Sequence, residues 1–142
     1  MSVAALDLGR RRIGVAVTDA AAMGAHPIGV VERRSMKRDL EAIAAMLRDR
    51  EVTTFVIGLP LNMDGTEGPA ARVARLFADR LAAEFKVQVE MFDERLTSFE
   101  AEERLKGMPV RKGARKPAID AIAATVILEG WMQSRGDKVS RQ

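Results

Sequence analysis

Two short apolar runs open the chain, VAALDL over 3–8 and IGVAVT over 13–18, each bounded by turn or charge signals. Runs of this length predict strands buried on both faces, and Gly9–Arg12 is short enough to join them as a hairpin. A third strand is expected over His26–Arg33, with Pro27 at its start and Gly29 marking a bulge or an edge. The period then changes: Leu40, Ile43, Ala44 and Leu47 follow the i, i+3, i+4, i+7 spacing of one helical face, which predicts a helix over Lys37–Arg50. Thr53–Leu59 reads as a fourth buried strand, stopped by Pro60. Pro69–Phe85 reads as a helix facing inward through Val73, Leu76, Phe77, Leu81 and Phe85. A fifth strand is expected over Val87–Phe92, then a helix over Thr97–Lys106 opened by the capping box Thr97-x-x-Glu100, and a last helix over Ile119–Met132.

Hairpin-linked strands followed by strand–helix–strand crossovers imply an α/β fold. Its mixed sheet is antiparallel on one side, parallel on the other, and covered by helices. No internal repeat or domain boundary interrupts it, so one domain is expected over 1–134. Gly107–Pro117, rich in Gly, Pro and base, should be mobile, and 135–142 should form a disordered basic tail.

Composition narrows the function classes. The 142 residues are 47% apolar and 30% charged, the balance of an ordinary globular domain. With no cysteine, disulfides, thiolate zinc sites and cysteine nucleophiles are all excluded, and a reducing, cytoplasmic setting is expected. No run approaches the roughly 18 apolar residues of a membrane span, and the start lacks the pattern of a cleavable leader. Lys and Arg number 23 against 20 acids, and the sequence pI of about 9.7 makes a polyanionic partner plausible. Aromatics are only 4%, so phosphates rather than stacked bases are the expected handle on nucleic acid.

The chemistry must come from carboxylates. The single histidine, His26, reads as a structural or surface residue, because it gains catalytic meaning only from a placed partner. Asp7 lies between Leu6 and Leu8 in an apolar strand, where an unpaired charge is costly, although an Asp before Gly9 can also simply begin the turn. Asp93-Glu94 ends the fifth strand. Alternation sets Asp93 on the face of Val87, Val89 and Met91 and Glu94 on the other, so one of the two is expected to join Asp7. Asp120 shares a helical face with Ala124, Ile127 and Trp131, which turns it inward; stabilisation of a helix N-terminus is the competing account of both acidic positions. Three such carboxylates would form a hard oxygen site for Mg²⁺ or Mn²⁺. Metal beside a phosphodiester suggests hydrolysis, with one ion activating water and a second stabilising the leaving oxygen.

Basic residues flank these acids. Arg10, Arg11 and Arg12 follow Asp7, Arg95 follows the acidic pair, and Lys106, Arg111, Lys112, Arg115 and Lys116 precede Asp120, so substrate phosphates could sit between the groups. The loop Gly58–Gly65 (GLPLNMDG) lies between a strand and a helix, where α/β sheets place ligand loops, and Asn62 is its candidate polar contact.

Together ALDLGRRRIGVAVTD, VIGLPLNMDGTEGP, FDERLTSFEAEERL and IDAIAATVILE resemble the YqgF/RuvX family of bacterial ribonuclease-H-like nucleases, in this order and across nearly the whole chain. The resemblance implies a ribonuclease-H-like sheet of five strands in order 3-2-1-4-5, divalent-metal nuclease chemistry and a cytoplasmic setting. Asp7 matches the family's first-strand aspartate, Glu94 the acid of its DER motif with Asp93 adjacent, and Asp120 its last-helix aspartate. The fourth strand ends in GLPLN, where better-known ribonuclease-H-like resolvases place a carboxylate, so the second acid must come from the fifth strand. With that strand one place further from Asp7, Glu94 is expected to reach the metal more readily than the shorter Asp93, or to do so through water. The family's members are described as nucleases of the pre-16S rRNA 5′ end or as Holliday junction resolvases, the latter requiring two sites and hence a homodimer. DLGRRRIGVAVTD also resembles the phosphate loop of actin-like and sugar-kinase ATPases, but 142 residues supply only one of their two lobes. A non-catalytic RNA-binding assembly factor, whose acids merely cap helices, is the remaining alternative.

Overall fold

In the computed structural model, residues 2–18, 24–95, 97–109 and 113–140 are described, excluding the side chains of 97, 98 and 136–140. The strands are β1 (Ser2–Leu8), β2 (Arg12–Thr18), β3 (Ala25–Glu32), β4 (Val52–Leu59) and β5 (Gln88–Asp93). The helices are α1 (Met36–Met46), α2 (Pro69–Phe85), α3 (Thr97–Leu105) and α4 (Arg115–Ser140). They build one mixed sheet in the order β3-β2-β1-β4-β5. β1, β4 and β5 are mutually parallel, while β2 runs antiparallel to both β1 and β3. This is the sheet the hairpin and crossover pattern implies.

Alternation along the strands sorts two cores. Ala4, Leu6, Ile13, Val15, Val17, Phe55 and Ile57 pack with α1 and α2 on one face. Ala5, Ala16 and Val56 meet Ala124, Ile127 and Leu128 of α4 on the other. The sheet contributes mainly small residues to this layer, Ala5, Ala16 and Val56, which lets α4 lie close to it. β3 is an edge strand, as Pro27 requires, and its register with β2 shifts between Val15 and Ala16, beside Gly29. His26 lies on this edge, exposed and opposite Val17.

Three expectations need correction. α1 ends at Met46, short of Arg50. α2 has the predicted bounds and buries Phe77 and Leu81 as expected, but Val73 and Leu76 are 45% and 56% exposed; the stripe is completed by Ala71, Ala74 and Ala78, which lie at helical spacing from Phe77 and Leu81. α4 begins at Arg115 instead of Ile119. Pro117 does not delay it, since a proline in the first helical turn lacks only an N–H that would have no intrahelical acceptor. α4 is continuous to Ser140. Of the stretch expected to be mobile, 110–112 lie outside the described residues. Among the described residues, no helix is long and apolar enough to cross a membrane.

Candidate active site

Asp7 stands one residue from the end of β1, on the α4 face with Ala5. The parallel neighbour of that strand end is β4, whose pairing Leu6 with Ile57 puts Gly58 beside Asp7; β5 lies one strand further, with Phe92 opposite Gly58. Glu94 follows Phe92 by two positions and so emerges on the same face. Two strand spacings separate β1 from β5, about 10 Å, yet the carboxyls of Asp7 and Glu94 hydrogen-bond each other. They meet because β4 has no side chain between them. A Cβ on Gly58 would lie 2.3 Å from Glu94 Oε2 and 2.7 Å from Ile127 Cδ1.

The pair is electrostatically loaded. Burial, then the charge of Asp7, then the hydrogen bond to Asp7 push the Glu94 carboxyl up to about 9. Burial also raises Asp7, helped by the charge of Asp120, while the bond from Glu94 acts in the opposite sense. Both carboxyls are raised, so the pair holds a proton more tightly than an ordinary carboxyl does. Two desolvated acids that must share a proton form a set that a hard dication would suit.

Asp93 behaves differently. It is exposed and on the opposite face, where Arg95 grips it through Nε at 2.9 Å and Nη2 at 2.8 Å, and the Arg95 guanidinium holds its carboxyl below the usual range. The geometry sets Glu94, and not Asp93, beside Asp7, a choice that alternation alone leaves open. Arg95 Nη1 also donates to the Met63 carbonyl at 3.3 Å, tying the loop after β4 to the end of β5.

Asp120 reaches the same face from α4. A Cβ on Gly14, the register partner of Asp7 on β2, would fall 1.9 Å from the Asp120 carbonyl oxygen, so only glycine lets the helix backbone rest on the sheet there. The Asp120 carboxylate is close enough to raise Asp7, but it is bound by Arg12, whose Nε lies 2.8 Å from Oδ2. Among the described residues, no three acidic or histidine side chains stand together closely enough to hold a metal ion. Asp7 and Glu94 are assembled; Asp120 is adjacent and engaged elsewhere. The donor set of two half-buried carboxylates with a third at hand fits an oxygen-seeking dication.

The basic candidates divide. Arg10 and Arg11 are exposed at the hairpin tip, and Arg115 and Lys116 are exposed in the first turn of α4. Arg12 is half-buried on Asp120. Arg111 and Lys112 lie outside the described residues. Asn62 is used by its own loop, its Nδ2 donating to Thr66 Oγ1 at 2.9 Å.

The residue-by-residue reading missed the roles of Gly14 and Gly58, although an isolated glycine inside a strand is itself a signal of close approach. It also missed Arg33 and Asp39. Arg33 Nη1 donates to the Gly9 carbonyl at 3.0 Å and Arg33 Nε lies 3.7 Å from Asp39 Oδ2; Asp39 is only 2% exposed and also accepts from the Arg34 amide at 2.9 Å. This strut from α1 braces the turn that follows Asp7. Asp39 looks in sequence like any acid in a first helical turn, so no local signal marks it.

A mixed sheet of this order, with a half-buried acid pair at its parallel strand ends and an aspartate-bearing helix across them, defines a ribonuclease-H-like domain. The backbone resembles that of Thermus thermophilus RuvC, with a TM-score of 0.53 and 17% identity over 94% of this chain and 97% of that one. The fowlpox virus resolvase, solved with Holliday junction DNA, gives a TM-score of 0.53 and 14% identity over 94% and 98%. A sequence model of the RuvX family, described as Holliday junction resolvase, matches residues 1–134, and the chain belongs to that family. A relative from Anaeromyxobacter sp. (strain K) is 53% identical over 95% of this chain and 98% of its own. One from Myxococcus xanthus (strain DK1622) is 46% identical over 94% and 89%. Both are named "Putative pre-16S rRNA nuclease". The protein is accordingly a nuclease, a hydrolase acting on ester bonds.

Proposed function

We propose that this nuclease processes the 5′ end of precursor 16S rRNA in the cytoplasm, using Mg²⁺ or Mn²⁺ held by Asp7 and Glu94 with Asp120 as the third acid. The observation that carries the reading is the Asp7–Glu94 contact across Gly58, a costly arrangement that a dication would relieve. When bound, the ion would supply an activated water and neutralise charge at the scissile phosphate. The chain's own residues do the rest. Gly58 and Gly14 admit Glu94 and α4 to the sheet. The Arg33–Asp39 strut fixes the turn, while Arg10, Arg11, Arg115 and Lys116 offer exposed cations for phosphates on both flanks of the acids. The names of the relatives favour RNA as substrate.

The family description favours a second reading, cleavage of four-way DNA junctions, which would require a homodimer to cut two strands. Wild type and Asp7→Asn assayed side by side on precursor 16S rRNA and on a four-way junction, across a Mn²⁺ titration, decide between them. Metal-dependent cleavage of the RNA alone, abolished by Asp7→Asn, is expected. Junction cleavage alone transfers the assignment to DNA, and nucleic-acid binding that survives the substitution without any cleavage replaces the enzyme with a binding factor.

A further inference from the structure

Arg12 is set apart from its neighbours. Arg10 and Arg11 point to solvent, whereas Arg12 projects on the face of Gly14 and Asp7, and its side chain and that of Asp120 are only 18% and 25% exposed. Its backbone is pinned by the turn, the Gly9 amide donating to the Arg12 carbonyl at 2.9 Å. Asp120 is equally fixed, because its carbonyl rests over Gly14. Only the two side chains are free to exchange partners. The Nε contact uses one of five guanidinium N–H groups, and a phosphate matches the guanidinium fork as well as a carboxylate does. Because the pair is largely enclosed, each side chain needs a new partner when it parts, and a phosphate on Arg12 with a cation at the acids for Asp120 supplies both.

We propose that Arg12 is a phosphate-sensitive latch on Asp120: a substrate phosphate taken by Arg12 releases the Asp120 carboxylate toward Asp7 and Glu94, so the third acid becomes available only when nucleic acid is present. The inference rests on the metal-dependent reading above and adds a positioning role for one arginine. It separates Arg12 from the other basic residues, whose loss should weaken phosphate binding without altering the acids.

The test is a double-mutant cycle read by calorimetric Mn²⁺ binding to the full chain without nucleic acid. Arg12→Met keeps the aliphatic stem while removing the latch, and should tighten Mn²⁺ binding about tenfold, within the range of coupled neighbours. In the Asp120→Asn background the same change should give less than about threefold, the part due to removing a positive charge. Equal gains in both backgrounds, or weaker binding in Arg12→Met, overturn the latch. In a second arm, a single-stranded phosphorothioate oligonucleotide should raise the Mn²⁺ affinity of wild type more than that of Arg12→Met; equal increases also overturn it. If Arg12→Met does not retain a cooperative melt, Arg12→Gln takes its place. Mn²⁺ binding that is undetectable in wild type and Arg12→Met alike, with and without the oligonucleotide, or that is indifferent to Asp7→Asn, overturns the metal reading itself; Mn²⁺ binding with no coupling overturns the latch alone.

Discussion

Glu94 reaches Asp7 across Gly58: its Oε2 occupies space that a Cβ on the intervening strand would enter at 2.3 Å. The carboxyl pair therefore depends on an atom that β4 does not have. Gly58→Ala should displace Glu94 and press on Ile127, costing about 1–3 kcal/mol in stability, the usual range for overpacking. Cleavage should fall at least about a hundredfold while the chain remains folded. Kinetics together with urea unfolding check this; near-wild-type cleavage would mean that the contact is dispensable.

Gly14 has the stricter requirement, since its missing Cβ would meet helix backbone rather than a side chain. Gly14→Ala should shift α4 off the sheet and destabilise the domain by about 3 kcal/mol or more. A thermal melt should show a larger drop than for Gly58→Ala, together with loss of activity.

The acids should act unequally. Asp7→Asn, Glu94→Gln and Asp120→Asn should each reduce cleavage at least about a hundredfold, the scale of one strong catalytic group. Asp93→Asn should cost less than about tenfold, because Asp93 faces away and serves Arg95 and the loop carbonyl that Arg95 holds. Single-turnover rates at saturating Mn²⁺ measure the contrast, and an equal loss at Asp93 would reassign the site.

Stability should depend on pH through Glu94. Its carboxyl is raised from an ordinary 4.5 to about 9, so the folded chain holds a proton that the unfolded chain releases. The stabilisation is complete below about 4.5 and is lost as pH rises toward 9. Asp7 is raised as well and adds to the same trend. In chelator, the melting temperature of wild type should fall between pH 5 and 9 more steeply than that of Glu94→Gln, by several degrees. Parallel curves would remove the shared proton from the account.

Much of this molecule is written in local pattern. Short apolar runs bounded by Gly, Pro and charge give the five strands, and hairpins followed by crossovers imply a sheet antiparallel on one side and parallel on the other; its order 3-2-1-4-5 is what the family resemblance implies. Parity along β5 separates Glu94 from Asp93 before any coordinates exist, since successive strand side chains point to opposite faces. Only tertiary packing decides which residues share space. It puts a glycine beneath the reach of Glu94, sets the Asp120 carbonyl on Gly14, gives that aspartate to Arg12, and exposes Val73 and Leu76 while burying Ala71, Ala74 and Ala78 beside Phe77 and Leu81. The reason is range: alternation and helical period depend on neighbours a few residues apart, whereas a missing Cβ or an ion pair between residues 12 and 120 acquires meaning only when distant segments compete for the same few ångströms.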